Sequence, residues 1–230
     1  MQVRLAIERF FERKRTICFG LDFPGCFTYG ADKAEAILRF PQALLKHEAW
    51  VRLHTDSPWF ELDNMDFRVV ESFDAYEIQT ADCPYEVNAI YQDDYRPLGQ
   101  EELDQALLIY TWQREELLAG VETIPTLLLK KSFPGQDRTI EEILAHIAKA
   151  EKFYLQCFQL DVADFPSDAP LEMLAHTAKH FRALLPGFRS SVCQTAYNDE
   201  VWTARKVIRR TLWHQRDHIK HIRELVLRSD

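Results

Sequence analysis

Three histidines, His214, His218 and His221, fall in the run Leu212-Trp-His-Gln-Arg-Asp-His-Ile-Lys-His-Ile-Arg-Glu-Leu225. Residues four apart on a helix stack one turn above the other, so His214 and His218 can aim at a common point. Two convergent imidazoles make half of a metal site. A third ligand has to come from another element, and the best-placed candidate is His146 in Ile143-Leu-Ala-His-Ile-Ala-Lys-Ala-Glu151. Three neutral imidazole nitrogens suit a divalent transition metal such as zinc, nickel or iron, and three protein ligands leave a position open for water or substrate.

Spacing alone does not make a site. His176 and His180 share the four-residue step without any further pattern, and a helix histidine is commonly a solvent-facing or hydrogen-bonded side chain. His47 and His54 have no partner pattern and read as surface or packing residues. His221 stays open: it could bond to a ligand, act as an acid or base, compete with His214 for the ion, or sit at a helix edge with one nitrogen in water. Glu151 and Arg210 lie on the ligand-bearing helices, Arg210 one turn before His214, where it could hold an anionic substrate. Against that stands the general rarity of buried Arg and Glu, which makes both read more simply as surface charges. No residue is assigned a catalytic role, and no cysteine qualifies as a nucleophile.

A ligand must face inward, and the apolar pattern speaks to that. Val207, Thr211, His214, His218, His221 and Leu225 follow alternating steps of three and four, the pattern of a seam that faces neighbouring helices. Thr139, Ile143, His146, Ala150, Phe153 and Cys157 suggest a similar seam. The helices expected to carry them begin at about Leu98. One spans Glu101 to Gly120, with Gly120 as its stop; Thr139 and Glu142 form a capping box that opens another to about Gln159. Loops with Pro125, Pro134, Gly135 and Pro166 separate these from a helix near Leu171 to Leu185, and Asn198 is a plausible cap for a last one to about Leu227. Four helices with uneven loops make a bundle the economical architecture.

The first hundred residues read differently. Val3 to Phe11 and Arg15 to Phe23 alternate branched or aromatic residues with polar ones, as half-buried strands do, with a turn at residues 12–15. Phe23-Pro-Gly-Cys-Phe-Thr-Tyr-Gly30 is a bend and a short strand, and Asp32 caps a helix from about Lys33 to His54 that Pro41 should kink. Phe67 to Phe73 and Tyr85 to Tyr91 suggest two further strands. The fold class expected is therefore α+β with two domains, residues 1–97 and 98–230.

Composition bounds the partners. Of 230 residues 47% are hydrophobic and 28% charged, ordinary for a folded protein, and the net charge is -8. Residues 1–100 carry a net -6 and residues 101–230 a net -2, so neither half has the cationic surplus of a nucleic-acid binder. The cluster Arg205, Lys206, Arg209 and Arg210 reads as the wet face of a helix. Cys18, Cys26, Cys83, Cys157 and Cys193 are scattered with no C-x-x-C pair, which argues against a disulfide framework and suits a reducing compartment. With no signal-like start and no apolar stretch long enough to span a bilayer, a cytoplasmic protein without a membrane partner is expected.

Two resemblances add to this reading. Leu21-Asp-Phe-Pro-Gly-Cys-Phe-Thr-Tyr-Gly-Ala-Asp-Lys-Ala-Glu-Ala36 resembles the HicB-like fold, over roughly residues 1–55. HicB proteins are antitoxins, usually joined to a DNA-binding segment; none is read here, and that role is not carried over. Residues 101–228 resemble the DinB/YfiT superfamily of metal-dependent hydrolases and thiol transferases. Its helical bundle carries one ligand histidine in a Leu-Ala-His segment and two more four residues apart on the last helix. Leu144-Ala-His146 matches the first element, His214-Gln-Arg-Asp-His218 the second, and Leu108-Ile-Tyr-Thr-Trp112 fits the tryptophan-containing first helix. Where many relatives continue with Arg-Gly-Gln, this chain has Ile219-Lys-His221. The resemblance implies a three-histidine centre that activates water or a thiol for hydrolysis or S-transfer to a small molecule, with a low-molecular-weight thiol as one substrate and a homodimer as the default assembly. A reading of another class sets beside it a non-catalytic binding protein whose first domain engages a partner and whose metal is structural or vestigial.

Overall fold

The computed structural model describes residues 1–11, 15–56, 59, 64–81 and 84–228; the turn expected at 12–15, except Arg15, and Cys83 lie outside them. Among the described residues the fold is mixed α/β, with six α-helices and several small sheets. It divides into two compact units, residues 1–96 with 196–202 and residues 97–195 with 203–230.

The first unit is built on a four-stranded sheet of order β3-β2-β1-β4, with β1 at Gln2–Phe10, β2 at Arg15–Gly20, β3 at Phe27–Gly30 and β4 at Asp66–Asp74. β1–β2 and β2–β3 pair antiparallel, while β4 pairs parallel to β1 after the crossover through helix α1, Lys33–Arg52. A parallel partner requires such a crossover, and the helix covers the sheet with its apolar stripe. Val3, Leu5, Ile7 and Cys18 meet Ala36, Phe40 and Leu44 in one core. Gly30 permits the tight entry into α1: a Cβ there would lie 2.3 Å from the backbone nitrogen of Ala36. Asp32 caps α1, accepting from the Glu35 N–H at 2.9 Å, and the helix runs on through Pro41 to Arg52. The strand expected at Tyr85 to Tyr91 is shorter: β5, Tyr76–Gln79, pairs with β6, Pro84–Val87, and a 3-10 turn follows at Gln92–Tyr95.

In the second unit four long helices pack against one another: α2 (Gln100–Glu122), α4 (Ile140–Cys157), α5 (Pro170–Leu184) and α6 (Ala204–Leu227). A single turn, α3 (Thr126–Leu129), lies in the loop that carries Pro125. The capping box is present: Thr139 N–H donates to Glu142 at 2.7 Å and Glu142 N–H to the Thr139 hydroxyl at 3.2 Å. The Glu142 carboxylate accepts from the Thr139 N–H and, at 3.0 Å, from the Thr139 hydroxyl, and these bonds hold its carboxyl below the usual carboxylate range. Ile143, Leu144 and Ile147 of α4 pack with Leu117, Met173, Leu174, Ile219, Ile222 and Leu225 from the other three helices.

Three sequence expectations are corrected here. Gly120 does not stop α2, which runs to Glu122, because an exposed helix position tolerates glycine at modest cost. Asn198 does not cap the last helix. It takes the left-handed conformation, φ 51°, at the turn of a two-stranded sheet, β7 (Gln194–Tyr197) with β8 (Glu200–Thr203), and Thr203 caps α6 instead. The cluster at 205–210 is not a wet face: Lys206 and Arg210 are buried, and Arg205 donates to Glu102 at 2.7 and 3.0 Å. No helix among the described residues is long and apolar enough to cross a membrane. Cys18, Cys26 and Cys157 are buried and Cys193 is exposed; burial pushes the Cys18 thiol up to about 12.

Candidate metal centre

Helix α4 delivers His146 and helix α6 delivers His214 and His218. On α6 the expected seam is buried at Val207, Thr211, His214 and Leu225, with His218 and His221 half-buried. On α4 the buried face is turned relative to the expected one. It runs through Ile140, Ile143, Leu144, Ile147, Glu151 and Tyr154, which leaves His146, Ala150 and Phe153 half-buried at its rim. A histidine at the rim has its backbone in the packed layer and its ring free to reach across to the next helix.

The reach is short. Nε2 of His214 lies 3.1 Å from Nε2 of His146 and 3.1 Å from Nε2 of His218. All three residues offer ligand atoms within 4.8 Å of one another, and they are a group that can hold a metal ion. Nitrogens arranged tetrahedrally at about 2.0–2.1 Å from zinc stand about 3.3 Å apart, so the observed spacing needs only small adjustment. The rings meet edge to face, with centroids 4.9 Å apart for His146 and His214 and 4.4 Å for His214 and His218. That geometry lets three lone pairs converge without stacking the rings.

Burial and nearby cations favour the neutral form of His146 and His214. Burial, then the cations Arg138 and Lys149, push the His146 imidazole down to about 4. His214 is held well below the usual histidine range by burial first, then by His218, His146, Arg210 and Arg138. Neutral imidazole is the form that donates a lone pair to a metal. Nδ1 of buried His214 finds no hydrogen-bond partner among the described residues.

The walls are aromatic and cationic. Tyr154 stands edge-on to His214 with centroids 5.9 Å apart, and Trp213 packs at 5.7 Å from the same ring. Arg210 is buried with its guanidinium 4.2 Å from the Trp213 ring centre. Glu151 and Arg210, read from sequence as surface charges, are thus both buried. Glu151 is 1% exposed because it pairs with Arg114, and paired carboxylates are the ones that tolerate burial.

The second unit's three other histidines have partners of their own. Nε2 of His221 bonds to Gln136 Oε1 at 2.7 Å, and its ring is 6.1 Å from that of His218. His176 bonds to the Ala163 carbonyl at 3.0 Å and His180 to the His176 carbonyl at 2.9 Å. Sequence reasoning missed Tyr154 and Trp213 as neighbours of His214, and Arg114 as the buried partner of Glu151. A visible signal existed for Arg114, a charged residue spaced four and three from Tyr110 and Leu117 along an apolar stripe. Comparison with family models, with curated proteins and with solved structures found no match to this chain.

Proposed function

We propose that this chain is a metal-dependent enzyme of the DinB/YfiT type, in which His146, His214 and His218 hold one divalent transition-metal ion. The observation that carries this reading is the convergence of three Nε2 atoms, at 3.1 Å between neighbours, from two helices. The motif resemblance supports it, since all three ligand positions of that superfamily are filled here. The reading includes a HicB-like first domain and a DinB-like four-helix bundle, a small-molecule substrate and a homodimer.

A divalent ion bound there supplies Lewis acidity, which brings water or a thiol close to ionisation at neutral pH. The rest belongs to the protein. Burial keeps His146 and His214 neutral and ready to coordinate. Tyr154 and Trp213 limit water beside His214, and Arg210, one turn before it, places positive charge where an anionic substrate group would be welcome.

The test is turnover. Protein prepared without an affinity tag and loaded with zinc, nickel or iron(II) is assayed for thiol S-transfer and for ester hydrolysis. Turnover that disappears with a chelator and in His214→Ala supports the enzyme. Tight metal with no turnover on any thiol acceptor or ester favours the non-catalytic binding protein.

A further inference from the structure

Arg114 lies on α2, which contributes none of the three histidines, yet its guanidinium reaches the other three long helices. Its Nε donates to Gln215 Oε1 of α6 at 2.7 Å, its Nη1 to the Leu174 carbonyl of α5 at 3.0 Å, and its Nη2 to Glu151 Oε1 of α4. Nη2 also donates to the Tyr110 hydroxyl at 3.0 Å. The second oxygen of Glu151 accepts from the Thr177 hydroxyl at 2.7 Å and from Tyr110 at 3.2 Å. Gln215 closes the network by donating to the Tyr110 carbonyl and to Gln113 Oε1, each at 3.2 Å. Tyr110, Arg114, Glu151, Thr177 and Gln215 are all at most 2% exposed.

Two of these partners adjoin the candidate ligands. Gln215 follows His214 directly, and Glu151 lies five residues beyond His146 on the same helix. We propose that Arg114 is a positioning residue of the metal centre: by tying Glu151 of α4 to Gln215 of α6, it fixes the separation across which His146 meets His214 and His218. This rests on reading the three histidines as metal ligands.

Apolar side chains would also hold helices together, but they permit sliding and rotation by fractions of an ångström. A planar guanidinium bonded on three sides does not, because each N–H has a direction as well as a length. Metal–ligand distances tolerate about 0.2 Å, so an α4–α6 spacing that drifts by more weakens binding before it disturbs the fold.

The experiment compares wild type, Arg114→Lys, Gln215→Met and a control, Met173→Ala, which creates a cavity on α5 in the same core and removes none of the network's hydrogen bonds. Zinc affinity is measured by competition with a chromophoric chelator, coordination by the visible absorption of the cobalt(II) form, and stability by melting of the metal-free protein. Arg114→Lys keeps the charge beside Glu151 but loses the fork; Gln215→Met removes only the α6 branch and leaves the ion pair. Both are expected to bind zinc about 10-fold or more weakly and to shift the cobalt bands, as loss of a group supporting a ligand does. Met173→Ala is expected to lower the melting temperature and leave both metal readouts unchanged. Should Arg114→Lys fail to fold, Gln215→Met decides. Folded variants that match wild type in zinc affinity and cobalt spectrum overturn the positioning role alone, as does equal weakening in Met173→Ala. A wild type that takes up neither zinc nor cobalt overturns the three-histidine reading, and this inference with it.

Discussion

The Nε2 atoms of His146 and His214 lie 3.1 Å apart, although 68 residues separate them along the chain. One hydrogen can sit between two such nitrogens, and His214 meets His218 at the same distance. A single His214 Nε2 proton cannot bridge both neighbours well, and without protons the lone pairs repel. A cation between the three satisfies all of them together, which is why buried imidazoles that converge are good metal ligands.

Removal of one ligand should therefore matter far more than removal of a histidine elsewhere. His214→Ala is expected to lower zinc affinity by more than about 100-fold, beyond the loss caused by a group that merely supports a ligand. His176→Ala and His180→Ala, whose bonded nitrogens engage backbone carbonyls, are expected to leave it unchanged. Competition titrations of the three variants check this.

Acid should destabilise the metal-free protein in a defined window. His146 titrates at about 4 when folded and near 6.5 when unfolded, so between those values the unfolded chain binds the extra proton. Its contribution to stability is present above about pH 6.5 and is lost as pH falls toward 4. His214, lowered in the same direction, adds to the same trend. Urea midpoints of chelator-treated protein at stepped pH values should fall through that window; a midpoint that rises there contradicts the burial of neutral rings.

Glu151 is the carboxylate partner of buried Arg114. Glu151→Leu leaves that guanidinium charged and enclosed, with its strongest acceptor gone. The expected cost is about 3–5 kcal/mol, read from urea unfolding of the metal-free variant. A loss below about 1 kcal/mol would mean that Arg114 reaches water.

Gly30 tests the first unit independently. A Cβ at this position would sit 2.3 Å from Ala36 N and 2.8 Å from Asp32 O, both backbone atoms that cannot swing aside. Gly30→Ala is expected to destabilise by about 1–3 kcal/mol, visible as lost hydrogen-exchange protection in β2 and β3.

How far these features were legible varies with their physical origin. The three ligand candidates could be read because helical periodicity converts sequence spacing into direction, and the Thr139–Glu142 box could be read because capping is local. The exposed tip at Asn198 was misread because the residue suits both a helix cap and a left-handed turn; only the pairing of Gln194–Tyr197 with Glu200–Thr203 decides. The face of α4 was misjudged because Thr139, His146 and Phe153 make as regular a stripe as Ile140, Ile147 and Tyr154, and neighbouring helices choose between them. The Arg114 network was legible only as a spacing along an apolar stripe, because its partners come from other helices. A charged residue reads as surface until four helices are placed around it, and the guanidinium becomes tolerable only when Glu151, Gln215 and the Leu174 carbonyl arrive together.

Metal content of tag-free protein, measured by elemental analysis alongside X-ray absorption of the bound ion, tests the three-histidine centre most directly. The expected result is one divalent ion per chain with about three imidazole nitrogens in its coordination sphere, and none in His214→Ala. Protein that binds no ion after dialysis against zinc, or whose ion persists unchanged in His214→Ala, would contradict it.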